Sequence, residues 1–93
     1  TVGGAIAQNG AFYGSTRHGA VSDSVIGVTV VLADGTLVTT GSASRRNTKP
    51  FTRDGGPDMT GLFVGDNGAL GFKVTATLRL HPRPAYVDFL SFG

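Results

Sequence analysis

Residues 61–81 read GLFVGDNGALGFKVTATLRLH, and this stretch decides the fold because a glycine-spaced bend runs directly into a segment of near-perfect alternation. From residue 72 onward one face carries Phe72, Val74, Ala76, Leu78 and Leu80, and the other carries Lys73, Thr75, Thr77, Arg79 and His81. A period of two predicts a half-buried β-strand over residues 72–81, with the apolar set turned to the core. Just before it, Gly65, Gly68 and Gly71 recur every third residue around Asp66 and Asn67. Such a segment can take positive φ, and no bulky side chain shields its N–H groups. Its main chain can touch a ligand.

Outward from this stretch, the branched residues at 25–32 predict a second strand. Asp34-Gly35 then predicts a two-residue type I′ turn, and residues 36–40 an antiparallel return. Asp58 suits the N-cap of a short helix over 59–64, with Met59, Leu62 and Phe63 toward the sheet. The opening TVGGAIAQNG reads as a turn, then a helix over 5–8 stopped by Asn9-Gly10. Two glycines ahead of a helix suit an anion, and they equally suit a packing turn. Residues 11–24 read as an ordered loop that ends in a helical turn near 22–24, with Asp23 as its cap or else as a group that contacts a bound ligand. Residues 41–57 hold Arg45, Arg46, Lys49 and Arg53 without apolar periodicity. They form a solvated loop by default, and otherwise a basic lid over a carboxylate or a docking surface. Pro82 and Pro84 end the strand, since proline cannot donate to a ladder, and residues 85–93 alternate again as a further strand would. The fold class expected is α+β, an antiparallel sheet flanked by short helices.

At 93 residues the chain makes one small domain, burying roughly 60–65% of its unfolded surface. Fifteen glycines raise the entropic cost of folding, so backbone geometry rather than side-chain volume is what this composition selects. With no cysteine, disulfides, zinc–thiolate sites and iron–sulfur clusters held by this chain are excluded; a reducing, cytoplasmic compartment is compatible. The net charge of +2 suits an anionic ligand and does not call for nucleic acid. No apolar run approaches the ~18–20 residues of a membrane helix. His18 and His81 stand 63 residues apart, so no metal site is expected. Gly41-Ser42-Ala43-Ser44 lacks the surroundings of a nucleophile elbow. His18 is either a loop-stabilising residue or a group near a bound ligand. A chain that begins on Thr1, already inside a glycine motif, reads as a piece of a longer protein.

Residues 58–60 and 62–80 resemble the motif D-L-T-x-L-F-V-G-S-E-G-x-L-G-[IV]-[IV]-T-x-A-T-L-R-L of FAD-linked oxidases of the vanillyl-alcohol oxidase type, a family that includes D-lactate dehydrogenases and the glycolate oxidase flavin subunit. The departures are Asp66-Asn67, where Ser-Glu is usual, and Phe72-Lys73, where two branched apolar residues are usual. TVGGAIAQNG, the Arg17-His18-Gly19 step and the segment from Asp23 to Thr36 are similar to the same family in the same order. The resemblance implies that residues 1–84 are the C-terminal part, or second subdomain, of a PCMH-type FAD-binding domain. Residues 85–93 would then begin the connection to a substrate-binding cap domain. It further implies that FAD is held largely by main chain. The ribityl–pyrophosphate part would lie along Thr1, Gly3, Gly4 and Ala7, with Gly10, Ala11 and Gly19 beside it. The adenine end would lie against Gly71, Phe72 and Val74, with Gly71 leaving room for it.

The reaction so implied is oxidation of a 2-hydroxy acid such as D-lactate or glycolate by hydride transfer to FAD. The partners implied are FAD, the small-molecule substrate and the remainder of the chain, in a cytoplasmic or peripheral-membrane protein. Catalytic base and substrate clamp fall outside these residues, so the segment alone would be inactive. An FAD-dependent alcohol, aldose or cytokinin-type oxidase of the same fold, or a non-catalytic binding or structural module, are the alternatives.

Overall fold

The structure, a computed structural model, describes residues 1–53 and 55–93. Its first helix, α1 (Val2–Gln8), begins earlier than the sequence suggests. Thr1 caps it, its Oγ1 accepting from the Gly4 amide at 3.1 Å, so Gly3 and Gly4 lie inside the first turn rather than ahead of it. Asn9 ends it in the left-handed conformation, at φ 49°. Two single turns follow, α2 (Ser15–His18) and α3 (Val21–Ser24). Asp23 caps the second, its Oδ2 accepting from the Ala20 amide at 2.9 Å.

The sheet has three antiparallel strands in the order β2-β1-β3, with β1 Val25–Val31, β2 Leu37–Thr39 and β3 Phe72–Leu78. The β1–β2 connection differs from the two-residue I′ turn. Gly35 alone has positive φ, 85°, and its amide donates to the Leu32 carbonyl at 2.9 Å, while the Leu32 amide donates to Thr36. That is a type I turn over Ala33-Asp34 followed by a left-handed glycine, the three-residue solution for a hairpin. Asp34 supports it by accepting from the Thr36 amide at 2.9 Å.

Strand β3 ends at Leu78, three residues before the expected His81, and its faces are not those of simple alternation. Thr29 pairs with Thr75 while the next residue, Val30, pairs with Lys73, so Val74 is an extra residue on β3. A bulge reverses which side chains face inward. As a result Lys73 turns in at one end and Leu78 packs on the core at the other, while Phe72 and Val74 are 82% and 54% exposed. Residues 79–93 carry no strand, against the expectation for 85–93.

The core is Ile6 of α1, Val25, Val28 and Val30 of β1, and Phe63. Phe63 comes from α4 (Met59–Phe63), capped as anticipated by Asp58, which accepts from the Gly61 amide at 3.0 Å. The buried face of α4 is Thr60 and Phe63; Met59 and Leu62 lie about half exposed. Thr60, 1% exposed, meets Thr40 hydroxyl to hydroxyl at 2.7 Å. Thr40 in turn accepts from the Val28 amide at 3.0 Å. A threonine pair therefore joins helix to sheet where an apolar contact was expected.

Among its described residues the basic segment is irregular chain with Arg45, Arg46 and Lys49 exposed, as a solvated loop has them, yet it is internally ordered. It opens with a 3-10 turn, Gly41–Ser44, and folds back on the buried Ser42, whose hydroxyl donates to the Lys49 carbonyl at 2.7 Å and accepts from the Phe51 amide at 2.9 Å. Arg53 points inward, donating to the Ser22 carbonyl at 2.6 Å and to both carboxylate oxygens of Asp58 at 2.9 and 2.6 Å.

Candidate functional site

Helix α1 separates two depressions. On one flank Gly3, Gly4 and Ala7 form one wall of a groove of ≈ 280 Å³, and Gly68, Gly71, Phe72 and Lys73 form the other. The walls are tied together because carbonyls of the last turn of α1 take amides from the bend: Gly65 donates to Ile6 at 2.9 Å, beside the Asn9 amide at 3.1 Å, and Asn67 donates to Ala7 at 2.8 Å. The groove exists because the residues over it are small. A Cβ on Gly3 or Gly68 would meet nothing within 4 Å, so bare backbone faces open space there.

Of the anticipated site residues, Gly3, Gly4, Ala7, Gly71 and Phe72 meet in this groove. Val74 lines an adjoining depression of ≈ 200 Å³ with Val2, Gly3 and Ile6. Thr1 is the helix cap. Gly10 and Gly19 lie on the other flank of α1, in an apolar cavity of ≈ 310 Å³ edged by Phe12, Tyr13, His18 and His81. Ala11 is exposed on the connection that follows α1.

Two expectations about the bend are corrected. The missing side chain of Gly71 serves the sheet rather than the groove: a Cβ on it would lie 2.5 Å from the Val31 carbonyl oxygen and 2.7 Å from Val30 Cγ1, so that space belongs to β1, while the Gly71 backbone lines the groove. Nor are the bend amides open. Besides Gly65 and Asn67, those of Gly68 and Leu70 donate to the Asp66 carboxylate at 2.9 and 3.2 Å, and that of Ala69 to the Asp66 carbonyl at 2.9 Å. The cluster of convergent N–H groups was foreseen; what fills it is the chain's own carboxylate. Lys73 Nζ completes the arrangement with an ion pair to Asp66. Burial pushes the Asp66 carboxyl up, but Lys73 together with the two amides outweighs it and holds the group below the usual carboxylate range.

Sequence spacing also missed a contact. His18 and His81 stack at 3.9 Å between ring centroids with 26° between planes. Shielding from water, then the neighbouring His81 and Arg17 charges, lower the His18 pKa from its ordinary 6.5. The chain beyond β3 brings His81 against His18 of α2, and nothing in the local sequence of either histidine signals it. Among the described residues no group of three or more His, Cys, Asp or Glu side chains is placed to hold a metal. No helix among them is long and apolar enough to cross a membrane.

Residues 1–41 match the sequence profile of an FAD binding domain. The chain is also 35% identical over 83 residues to D-lactate dehydrogenase [cytochrome] 1, mitochondrial, of Saccharomyces cerevisiae. It is 37% identical over 84 residues to glycolate oxidase subunit GlcD of Bacillus subtilis. The chain belongs to the FAD-binding domain family of FAD-linked oxidoreductases. D-2-hydroxyglutarate dehydrogenase, mitochondrial, of Bos taurus matches this FAD-binding domain at 30% identity over 92 residues. The alignments cover 89%, 90% and 99% of this chain but 13%, 17% and 16% of the respective relatives. The α1 flank fits the cofactor that the family implies, because the open backbone over Gly3 is a surface that a side chain would otherwise fill.

Proposed function

We propose that these residues are the FAD-holding part of an FAD-dependent oxidoreductase that oxidises a 2-hydroxy acid, D-lactate or glycolate being the nearest chemical examples. The observation that carries this reading is the groove between α1 and the bend, open over Gly3. Gly3, Gly4 and Ala7 would carry the ribityl–pyrophosphate part, with Thr1, Gly10, Ala11 and Gly19 around it. Phe72 and Val74, both exposed, offer an apolar ledge for adenine beside Gly71. Bound FAD supplies the hydride acceptor, and the protein's share is to hold and orient it. The substrate clamp and catalytic base belong, in this reading, to a cap domain elsewhere in a longer chain, reached through residues 85–93. A cytoplasmic location belongs to the same proposal. The mitochondrial relatives are its counter-case, and cell fractionation decides between them.

The decisive variant is Gly3→Ala in the full-length protein. Alanine is favoured over glycine inside a helix by about 1 kcal/mol, and its methyl group meets no atom within 4 Å, so thermal stability rises. The same methyl stands in the groove, so FAD affinity, followed by quenching of flavin fluorescence, falls by roughly tenfold, about 1.4 kcal/mol. A more stable variant with unchanged affinity would instead support a structural module, a reading that the self-satisfied amides of the bend favour. Screening D-lactate, glycolate, alcohols and aldoses with the full-length protein separates the 2-hydroxy acid reading from the other oxidases of this fold.

A further inference from the structure

The bend and the start of β3 hold a pair of charges that the site described so far does not use. The Lys73 and Asp66 side chains are only 5% and 3% exposed and face each other as an ion pair. Asp66 is the hub: besides Lys73 Nζ it accepts from the amides of Gly68 and Leu70 at 2.9 and 3.2 Å. Lys73 Nζ also reaches the Gly71 carbonyl, at 3.5 Å.

Neither charge tolerates loss of the other. A lone buried ion keeps its desolvation penalty without its partner, which is why breaking a buried pair costs far more than replacing both members by uncharged groups. Both residues are also departures from the motif quoted above, serine being usual at the position of Asp66 and a branched apolar residue at that of Lys73. In the structure these two departures are one feature. Its placement gives it a role. The bulge at Val74 turns Lys73 inward, while the outer amides of the same bend, those of Gly65 and Asn67, reach the end of α1. The pair thus joins Gly68, Gly71 and Phe72 into one rigid wall, facing Gly3, Gly4 and Ala7 across the groove.

We propose that Asp66 and Lys73 act as a single positioning unit that sets the distance between the bend and α1, and with it the fit of an elongated dinucleotide in the groove. The second part rests on the FAD-holding function proposed above; the first does not. The unit touches no reacting atom and works through the backbone that it holds.

The test is a double-mutant cycle in the full-length protein with D66S, K73V, D66S/K73V and the conservative K73R. Two readouts are taken: hydrogen exchange across residues 65–73 and FAD affinity by flavin fluorescence. Each single uncharged variant is expected to speed exchange across the bend and to weaken FAD by roughly tenfold, within the usual range for coupled neighbours. K73R stays within about threefold of the parent in affinity, since it keeps the charge. D66S/K73V recovers most of the lost affinity. If the single variants fail to fold, recovery of folded protein in the double variant carries the same meaning. Independent effects, with the double variant losing the product of the two single losses, or single variants that leave exchange and affinity untouched, overturn the proposal. A parent that binds no FAD sinks the cofactor reading instead, and the exchange cycle alone then decides whether the pair holds the wall.

Discussion

The glycines that look alike in the sequence serve two different ends. At Gly3 the missing side chain opens a groove, whereas at Gly71 and at the crossing of Gly27 with Gly41 it admits protein backbone. A Cβ on Gly27 would lie 2.9 Å from the Thr40 carbonyl oxygen, and one on Gly41 2.8 Å from that of Ile26. Sequence spacing identifies a bend that needs glycine, but whether ligand or neighbouring strand fills the space depends on residues 40 positions away. Gly71→Ala is therefore expected to act opposite to Gly3→Ala. Its methyl group meets the Val31 carbonyl at 2.5 Å and its φ of 149° is strained for any side chain. Overpacking and strain together cost about 2–4 kcal/mol, measured as a lower denaturant midpoint; a loss below half a kilocalorie would show that β1 yields freely.

Among the elements, the hairpin and the cap of α4 were legible because their signals are local. Asp34-Gly35 marks a turn, and Asp58 sits where an N-cap belongs. The inward faces of β3 and α4 were not. A bulge is a property of two paired strands, and Val74 carries no sign of it alone. Likewise Thr60 reads as polar until Thr40 appears opposite it. The cap itself yields a prediction. Asp58 accepts from the Gly61 amide at 3.0 Å and pairs with Arg53, first through the Arg53 hydrogen bonds, which hold its carboxyl below the ordinary 3.8 despite the opposing effect of burial. A depressed folded pKa contributes stability that is complete above the unfolded value and lost as pH falls through the folded one. Asp66 has the same sign. Asp58→Ala is expected to cost about 1–2 kcal/mol at neutral pH, chiefly through the lost cap because the half-exposed ion pair adds little. The difference from the parent begins to shrink at about pH 4, where the unfolded-state carboxyl starts to bind protons, and goes on shrinking as pH falls through the lowered folded value. Urea titrations at pH 7 and at pH 3 check both; an undiminished difference at pH 3 would assign the effect to packing.

Over the whole molecule, the radius of gyration of 15.2 Å exceeds the ~12 Å expected for a compact domain of this size. Residues 79–93 extend from the sheet, with Tyr86, Phe89, Leu90 and Phe92 at least four-fifths exposed. Phe72 and Val74 add an apolar patch on β3, which is also an edge strand, its outer ladder open. Surface of this kind marks a place for a ligand, as proposed for Phe72 and Val74, or for another protein segment, as residues 86–92 suit. Residues 1–93 prepared alone are accordingly expected to associate as concentration rises, and sedimentation velocity from low to high micromolar reads it. A monomer throughout that range would mean that the patch is tolerated by water.

The hydrogen bonds from Gly65 and Asn67 to Ile6 and Ala7 have a consequence for biosynthesis. One side of the cleft is translated at the very start of this stretch and the other much later, with residues 65–73, so a ribosome-bound intermediate that stops short of residue 65 displays the helix without its opposite wall. Loading of any small molecule there follows emergence of residue 73 rather than that of the helix.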